Sequence, residues 1–301
     1  MAETQTIAVA GPTGDLGGRI VRELVARGAR VHALVRPDLT AHESARLAVL
    51  GAVVRVADPA DVDAMVAACA GAECVVSALN GLREVIIDRQ NVLLEAAVRA
   101  GVPRFIPSDY AADFRATRPG DNRNFDLRRE FMATADHAPI RVTSILSGAF
   151  MDLLGHEMPL LQPRIRRVLY WHDGDQRLDF TRKDDVAAYT AAAALDPTAP
   201  RILRIAGDSV SARDIASTVT TVSGRPWSAL WVGSLGSLGL TIRIARFFAP
   251  APGVPFPPWQ GMQYLRDQFS GRAELTDLDN TRYAGIRWTS VREHVGALSL
   301  A

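Results

Sequence analysis

The sequence has two cysteines, a single lysine, almost no net charge and no long apolar run, and each scarcity removes a class of function. Cys69 and Cys74 lie in an alanine-rich segment and form neither a paired-cysteine redox motif nor a metal-ligand cluster. Both are expected as small core residues, and no metal site is expected. Of the 34 basic residues, 33 are arginine and only Lys183 is lysine, which leaves little room for lysine chemistry. No stretch reaches the about 18 consecutive apolar residues of a membrane span. The start, "MAETQTIAVAGPTG", has no basic region followed by a long apolar one, so a cytoplasmic location is expected. A net charge of +1 gives no reason in the total to expect nucleic acid or an anionic membrane as partner. A small-molecule partner fits this balance better. What the chain does have is 301 residues, 48% of them hydrophobic, enough for a substantial buried core.

From residue 6 to about 106, short apolar runs alternate with amphipathic stretches. The runs are "TIAVAG", "RVHALVR", "AVVRVAD", "ECVVSAL" and "VPRFIPS"; helical patterns lie near 16–28, 40–50, 61–70 and 83–100. Such alternation predicts an α/β fold, a Rossmann-type doubly wound parallel sheet with crossover helices. Beyond residue 120 a helix is expected over "NFDLRREFMATADH", a strand over "IRVTSIL", a hairpin turning at Asp173-Gly174 and a helix over "TRKDDVAAYTAAAAL". "RILRIAG" reads as a later strand, near 201–206, that rejoins the sheet. The expected division is a dinucleotide-binding domain over 1–150 and a smaller α+β substrate domain over 151–301. Ser211 with Asp214, and Ser290 with Glu293, have capping-box spacing. "FFAPAPGVPFPPWQG", residues 247–261, is too proline-rich for regular helix. It either wraps the smaller domain or covers a pocket.

"AVAGPTGDLGGRIVREL" sets Gly11, Gly14 and Gly17 between the first strand and the first helix. Glycine there allows a tight turn and close backbone approach, and the helix N-terminus offers N–H groups to a pyrophosphate. The expected phosphate-binding residues are Gly11, Thr13, Gly14, Asp15, Leu16 and Gly17. After the second strand, Arg36 suits the extra phosphate of NADP, although Asp38 keeps NAD open. Ligands of doubly wound sheets bind at the carboxyl ends of the strands. Those ends supply Asp58, then Ser77, Ala78 and Leu79, then Pro107 and Ser108 with Asp109 and Tyr110 behind them.

Together "GPTGDLGG", Arg36, "VVSALNG", Gln90 in "DRQNVLLEAAVRAGVPRFIPSDY", "SILSGAFMDLL" and "LDFTRKDDVAAYTAAAAL" resemble the NmrA-like and isoflavone reductase-like group of atypical short-chain dehydrogenases/reductases. The resemblance implies NADP(H) as cofactor and two classes of activity, reductases and redox-sensing regulators. It implies that Phe150 and Met151 line the nicotinamide pocket, where plain core packing is the alternative. The tyrosine-lysine pair of ordinary short-chain dehydrogenases is absent; Tyr110 is followed four residues on by Phe114. The lysine of the plant reductase branch falls on Arg128, which can hold an oxyanion but is a poor proton donor. Tyr110 and Arg128 are therefore the candidate catalytic residues. Asp109 is an acid candidate only if burial raises its pKa. Lys183, at a helix start, reads as structural, and Arg164, Arg166 and Arg167 as a solvated face.

Two functions follow as expectations. One is an NADPH-dependent reductase of a mostly apolar carbonyl, enone or quinone. The other is an NADP(H)-binding regulator that presents a surface to a protein partner without turnover.

Overall fold

A computed structural model describes residues 4–155, 158 and 160–298. It divides into two compact units. The first comprises the residues up to Asp109 with Leu127–Ile145 and Val186–Leu203; the second comprises Tyr110–Asp126, Leu146–Asp185 and the residues from Arg204 on. The units are interleaved along the chain, where the sequence suggested a division at 150 with one later strand, near 201–206, returning to the first domain.

The first unit is built on six parallel strands, β1 (Thr6–Ala10), β2 (Arg30–Val35), β3 (Val53–Val56), β4 (Cys74–Ser77), β5 (Arg104–Ile106) and β6 (Arg141–Val142). Their order is β3-β2-β1-β4-β5-β6, which reverses direction between β1 and β4. Ile7, Ala8, Val9, Cys74, Val75 and Val76 are fully buried, as expected of central parallel strands covered on both faces. On the edge strand β3, Val53 and Val56 are instead exposed. The crossovers are α1 (Asp15–Ala26), α2 (Ala41–Val49), α3 (Val62–Cys69), α4 (Gln90–Arg99) and α5 (Arg123–Asp136). Ile20, Val21 and Leu24, at helical spacing, seat α1 in the core. The helix expected over 83–100 begins with a wider π turn over Glu84–Arg89 before α4. Both cysteines are buried and free, and burial pushes each thiol up to about 12, so they are inert core groups.

After β6 the strand run breaks at Thr143 and continues as β7 (Ser144–Leu146), then β8 (Ala149–Phe150), β9 (Leu161–Gln162), β10 (Arg167–Tyr170) and β11 (Leu178–Thr181). Helix α6 (Lys183–Leu195), β12 (Ile202–Arg204), β13 (Asp208–Val210), α7 (Ala212–Ser223), β14 (Ser228–Trp231), α8 (Leu235–Phe248), α9 (Pro258–Phe269) and α10 (Val291–Gly296) follow. Two expectations change. The late strand, β12, pairs with β7 in a sheet of its own, because the run it joins has already left the β5 ladder at Thr143. The hairpin at Asp173-Gly174 does not form: β10 pairs with β9 and β14, and β11 with β8 and β13. Alternating apolar residues marked both strands correctly and said nothing about partners. Both expected capping boxes are present, and a third joins Thr40 to Glu43.

Candidate functional site

The glycine loop packs backbone against backbone. A Cβ on Gly11, whose φ is +76°, would lie 2.8 Å from the Ala78 carbonyl oxygen, and one on Gly17 would lie 2.0 Å from that of Gly11. Side chains at these positions would push the loop off the end of β4. Gly14 differs: it is the exposed N-cap of α1 and supplies no side-chain cap. The first bond inside the helix runs from the Gly18 N–H to the Gly14 carbonyl at 2.9 Å. The N–H groups ahead of it, from Asp15 to Gly17, are those a helix leaves without an intrahelical acceptor. Together with the helix dipole they make an anion cradle beside the point where the sheet order reverses. Asp15, the one acid in this turn, is held by Arg19 at 2.8 Å.

Arg36 stands past the end of β2, largely exposed, 3.4 Å from Asp38. An exposed pair of this kind is worth at most about 1 kcal/mol, so the guanidinium is readily given to a phosphate. A second guanidinium, overlooked in the sequence reading, comes from α2: Arg46 Nη2 donates to the Thr13 carbonyl at 2.7 Å. The Thr40–Glu43 capping box fixes where α2 begins and therefore which way Arg46 points. That Thr-x-x-Glu spacing was the signal available. Asp58 is exposed after β3, and one of its oxygens already accepts from the Ala60 N–H at 2.9 Å.

The ends of β4 and β5 are locked by one side chain. Gln90 Oε1 accepts from Ser77 Oγ at 2.7 Å and from the Ser108 N–H at 3.0 Å, while its Nε2 donates to the Ile86 carbonyl at 3.1 Å. Ser108 Oγ in turn donates to the Leu79 carbonyl at 2.6 Å. Ser77 and Gln90 are fully buried and Ser108 nearly so. Gly11, Ala78, Leu79, Ser77, Pro107 and Ser108 thus belong to one rigid edge, with Gln90 as its positioning residue.

Behind Ser108, Asp109 is completely buried. One carboxyl oxygen accepts from Ser144 Oγ at 2.6 Å, and the other has no hydrogen-bond partner among the described residues. Ser144 Oγ accepts from Arg201 Nη1 at 2.8 Å, and Arg201 pairs with Asp136 at the surface at 2.7 Å. Burial raises the Asp109 pKa above the ordinary carboxylate range, against the lowering effects of the Ser144 hydrogen bond and the Arg128 and Arg201 charges. The half-buried Arg128 is thus an electrostatic neighbour of Asp109. Nothing in the sequence marked Ser144, which acts through a strand 35 residues away.

The second unit holds Tyr110 and Phe150. Tyr110 is 6% exposed. Phe150 is half-buried, with the Lys183 ammonium 5.6 Å from its ring centroid, whereas Met151 is fully buried in that unit's core. The Lys183 N–H caps onto Asp152 at 2.8 Å, as its place at a helix start suggested. No cluster of metal-ligating side chains occurs among the described residues.

The model of the NmrA-like family matches residues 3–233. Pinoresinol reductase 1 of Arabidopsis thaliana is 32% identical over 210 residues, 65% of this chain and 66% of that one. The chain therefore spans just under two thirds of that relative's length. An isoflavone reductase homolog of Zea mays is 30% identical over 66% of this chain and 67% of its own. Among solved structures, AtPrR2 with NADP+ and (+)pinoresinol superposes with a TM-score of 0.81 at 22% identity, covering 98% of this chain and 99% of that one. An NADPH-dependent quinone oxidoreductase of Escherichia coli complexed with NADPH gives 0.74 at 20% identity, over 96% and 98%. These likenesses establish the shared fold.

Proposed function

The chain belongs to the NmrA-like family, and from that premise and the geometry of its glycine loop we propose that it is an NADPH-dependent reductase of a small, mostly apolar carbonyl, enone or quinone. The observation that carries the reading is the anion cradle at the α1 N-terminus with two arginines beside its strand edge. The residues fit the cofactor on this chain's own evidence: Gly11 and Gly17 keep the loop closed and Gly14 leaves the helix end bare. A bound NADPH would supply a hydride. Two similar solved structures, one with NADP+ and one with NADPH, agree with this choice.

In this reading the N–H groups of the α1 first turn hold the pyrophosphate, and Arg36 and Arg46 take the additional phosphate as a pair of charge-assisted donors. The strand edge clamped by Gln90 gives the nicotinamide half a fixed floor. Reduction of a C=O also needs a proton, and the structure changes the weighing of the two candidates. Tyr110 remains a candidate donor. Asp109 now meets the condition set for it: burial favours its neutral form, so it keeps a proton at pH values where an ordinary carboxylate has lost one. Ser144, held in turn by Arg201, donates to one carboxyl oxygen of Asp109 and fixes its orientation. Arg128 stabilises the anion left on Asp109 and cannot itself donate.

The permanent charge of Arg128, where the plant branch resemblance expects lysine, favours the alternative of a cofactor-sensing protein without turnover. Two measurements separate these. Fluorescence titrations with NADPH, NADP+, NADH and NAD+ should show preference for the phosphorylated pair, lost in Arg36→Ala. Absorbance assays with a panel of quinones and enones should then show oxidation of NADPH, strongly reduced in Asp109→Asn or Tyr110→Phe. Binding without oxidation of NADPH by any panel member would leave the sensing role; failure to bind any of the four would sink both.

A further inference from the structure

The total charge of the chain conceals an uneven distribution. Between Asp214 and Asp267 the sequence contains no acidic residue, while Arg225, Arg243, Arg246 and Arg266 all fall inside that interval. Among the described residues only Arg266 has ion-pair partners there, Asp121 at 3.5 Å and Asp267 at 4.0 Å. Arg243 and Arg246 have no carboxylate in salt-bridge range among the described residues. Both lie on one side of the outer stripe of α8, Arg243 next to it and Arg246 nearer the buried face.

That stripe is apolar. Leu238 and Ile242 seat α8 on the second unit, yet Leu240 and Ile244 are each 50% exposed and Phe247 and Phe248 are 80% and 79% exposed. Positions 240, 244, 247 and 248 share one face by helical geometry. The two phenyl rings meet edge to face at 5.2 Å and form the helix's tip. The loop beyond adds Val254 and Phe256, 47% and 54% exposed.

The display is held in place. Trp259 Nε1 donates to the Ala249 carbonyl at 3.0 Å, and Arg123 donates to the carbonyls of Val254 and Pro255 at 3.0 and 2.8 Å. Arg123 and Arg246 both stack on the Trp259 ring, 4.7 and 5.1 Å from its centroid. Arg246 is thereby anchored at the base of the patch, and Arg243 faces solvent.

We propose that α8 and the following loop form a docking surface for an anionic lipid bilayer, with Phe247, Phe248, Val254 and Phe256 entering the headgroup region and Arg243 and Arg246 on the lipid phosphates. An apolar helix face edged by arginine has the character of an interfacial helix. A second copy of this chain fits less well. A two-fold contact through α8 would bring together Arg243 and Arg246 of both copies, with no acid in the segment to offset them. The surface revises, for this segment alone, what the net charge of +1 suggested. It uses none of the residues assigned to the dinucleotide.

The test is flotation of the full chain with vesicles of phosphatidylcholine alone or with phosphatidylglycerol added. Binding to the anionic vesicles, weakened by salt, is expected. Phe247→Ser with Phe248→Ser should weaken it by on the order of tenfold or more. Arg243→Gln should weaken it about fivefold on anionic vesicles and leave neutral ones unaffected. Both changes are at exposed positions, and unchanged melting establishes that the variants are folded. Absence of vesicle binding, or equal binding to neutral vesicles, overturns the proposal. So does a dimer in sedimentation velocity that the phenylalanine substitutions dissolve while no vesicle is bound.

Discussion

Gly17→Ala and Gly18→Ala add the same methyl group to adjacent positions of α1, and the structure gives them opposite signs. At Gly17 the new carbon would lie 2.0 Å from the Gly11 oxygen, 2.8 Å from its carbon and 3.2 Å from the Pro12 Cα. All three are backbone atoms, so the loop or the helix must retreat by more than about 1 Å to restore ordinary contact. The loop has little room to retreat, since even a Cβ on Gly11 would lie only 2.8 Å from the Ala78 carbonyl oxygen. Overpacking of this kind costs about 1–3 kcal/mol, and at roughly 2 °C per kcal/mol for a chain of this size the melting temperature should fall by about 2–6 °C. At Gly18 the nearest atoms are the Pro12 oxygen at 3.4 Å and Arg46 Nη2 at 3.8 Å, ordinary contacts. There alanine should stabilise by about 0.5–1 kcal/mol through backbone entropy and helix propensity. Differential scanning calorimetry with an NADPH titration reads both consequences. Gly17→Ala should melt lower and bind NADPH at least about tenfold more weakly, because displacing the loop spoils the N–H cradle; Gly18→Ala should melt higher with affinity retained. A Gly17→Ala protein that melts at or above the parent and binds NADPH equally well would refute the packing argument.

Gln90→Leu removes the acceptor shared by Ser77 Oγ and the Ser108 N–H. Each buried donor left unpaired costs about 1–3 kcal/mol, so a loss of several degrees in melting temperature is expected; an unchanged value would mean that another acceptor takes over. Asp109→Asn tests the buried acid through pH. The folded-state pKa lies above the ordinary 3.8, so the stability linked to the proton is complete below that value and is lost as pH rises through the folded pKa. Denaturant titrations should find the asparagine variant flatter above pH 4 and more stable at neutral pH, by about 1.4 kcal/mol for each unit of upward shift; parallel profiles would contradict this. Arg46→Ala should weaken NADPH binding by roughly tenfold with a smaller effect on NADH. Equal effects on both dinucleotides, read by calorimetric titration, would assign Arg46 to holding the loop through Thr13 rather than to the phosphate.

The doubly wound parallel sheet was legible because it depends on patterns within short windows. Runs such as "TIAVA" and "CVVS" are apolar at all but one position each, as suits strands covered on both faces, and the helices between them are long enough for crossovers. The glycine loop was legible because its backbone packing excludes a Cβ at two positions. Long-range partners left no such trace. Strands β10 and β11 each show the right composition, yet which strand each meets is decided by residues tens of positions away, and a turn-forming Asp-Gly between them was a false guide. The hydrogen-bonded chain from Asp109 through Ser144 to Arg201 joins three segments that nothing in local spacing connects.

Charge is the plainest case of a sum that hides its parts. A net charge of +1 describes the field far from the molecule, beyond the roughly 10 Å over which salt screens individual groups. A bilayer or a phosphate meets the protein inside that distance and responds to the few side chains in front of it. At the glycine loop those are Arg36 and Arg46, and on α8 they are Arg243 and Arg246, while many of the acids that balance the total elsewhere are committed to pairs such as Arg83 with Glu130 and Arg99 with Asp63. The interval from Asp214 to Asp267 was visible in the sequence from the outset. What could not be read there was that α8 buries Leu238 and Ile242 and leaves the phenylalanines outside, because the burial of a helix face depends on the elements packed against it. An apolar residue becomes evidence of a partner only once the structure shows that the protein itself does not cover it.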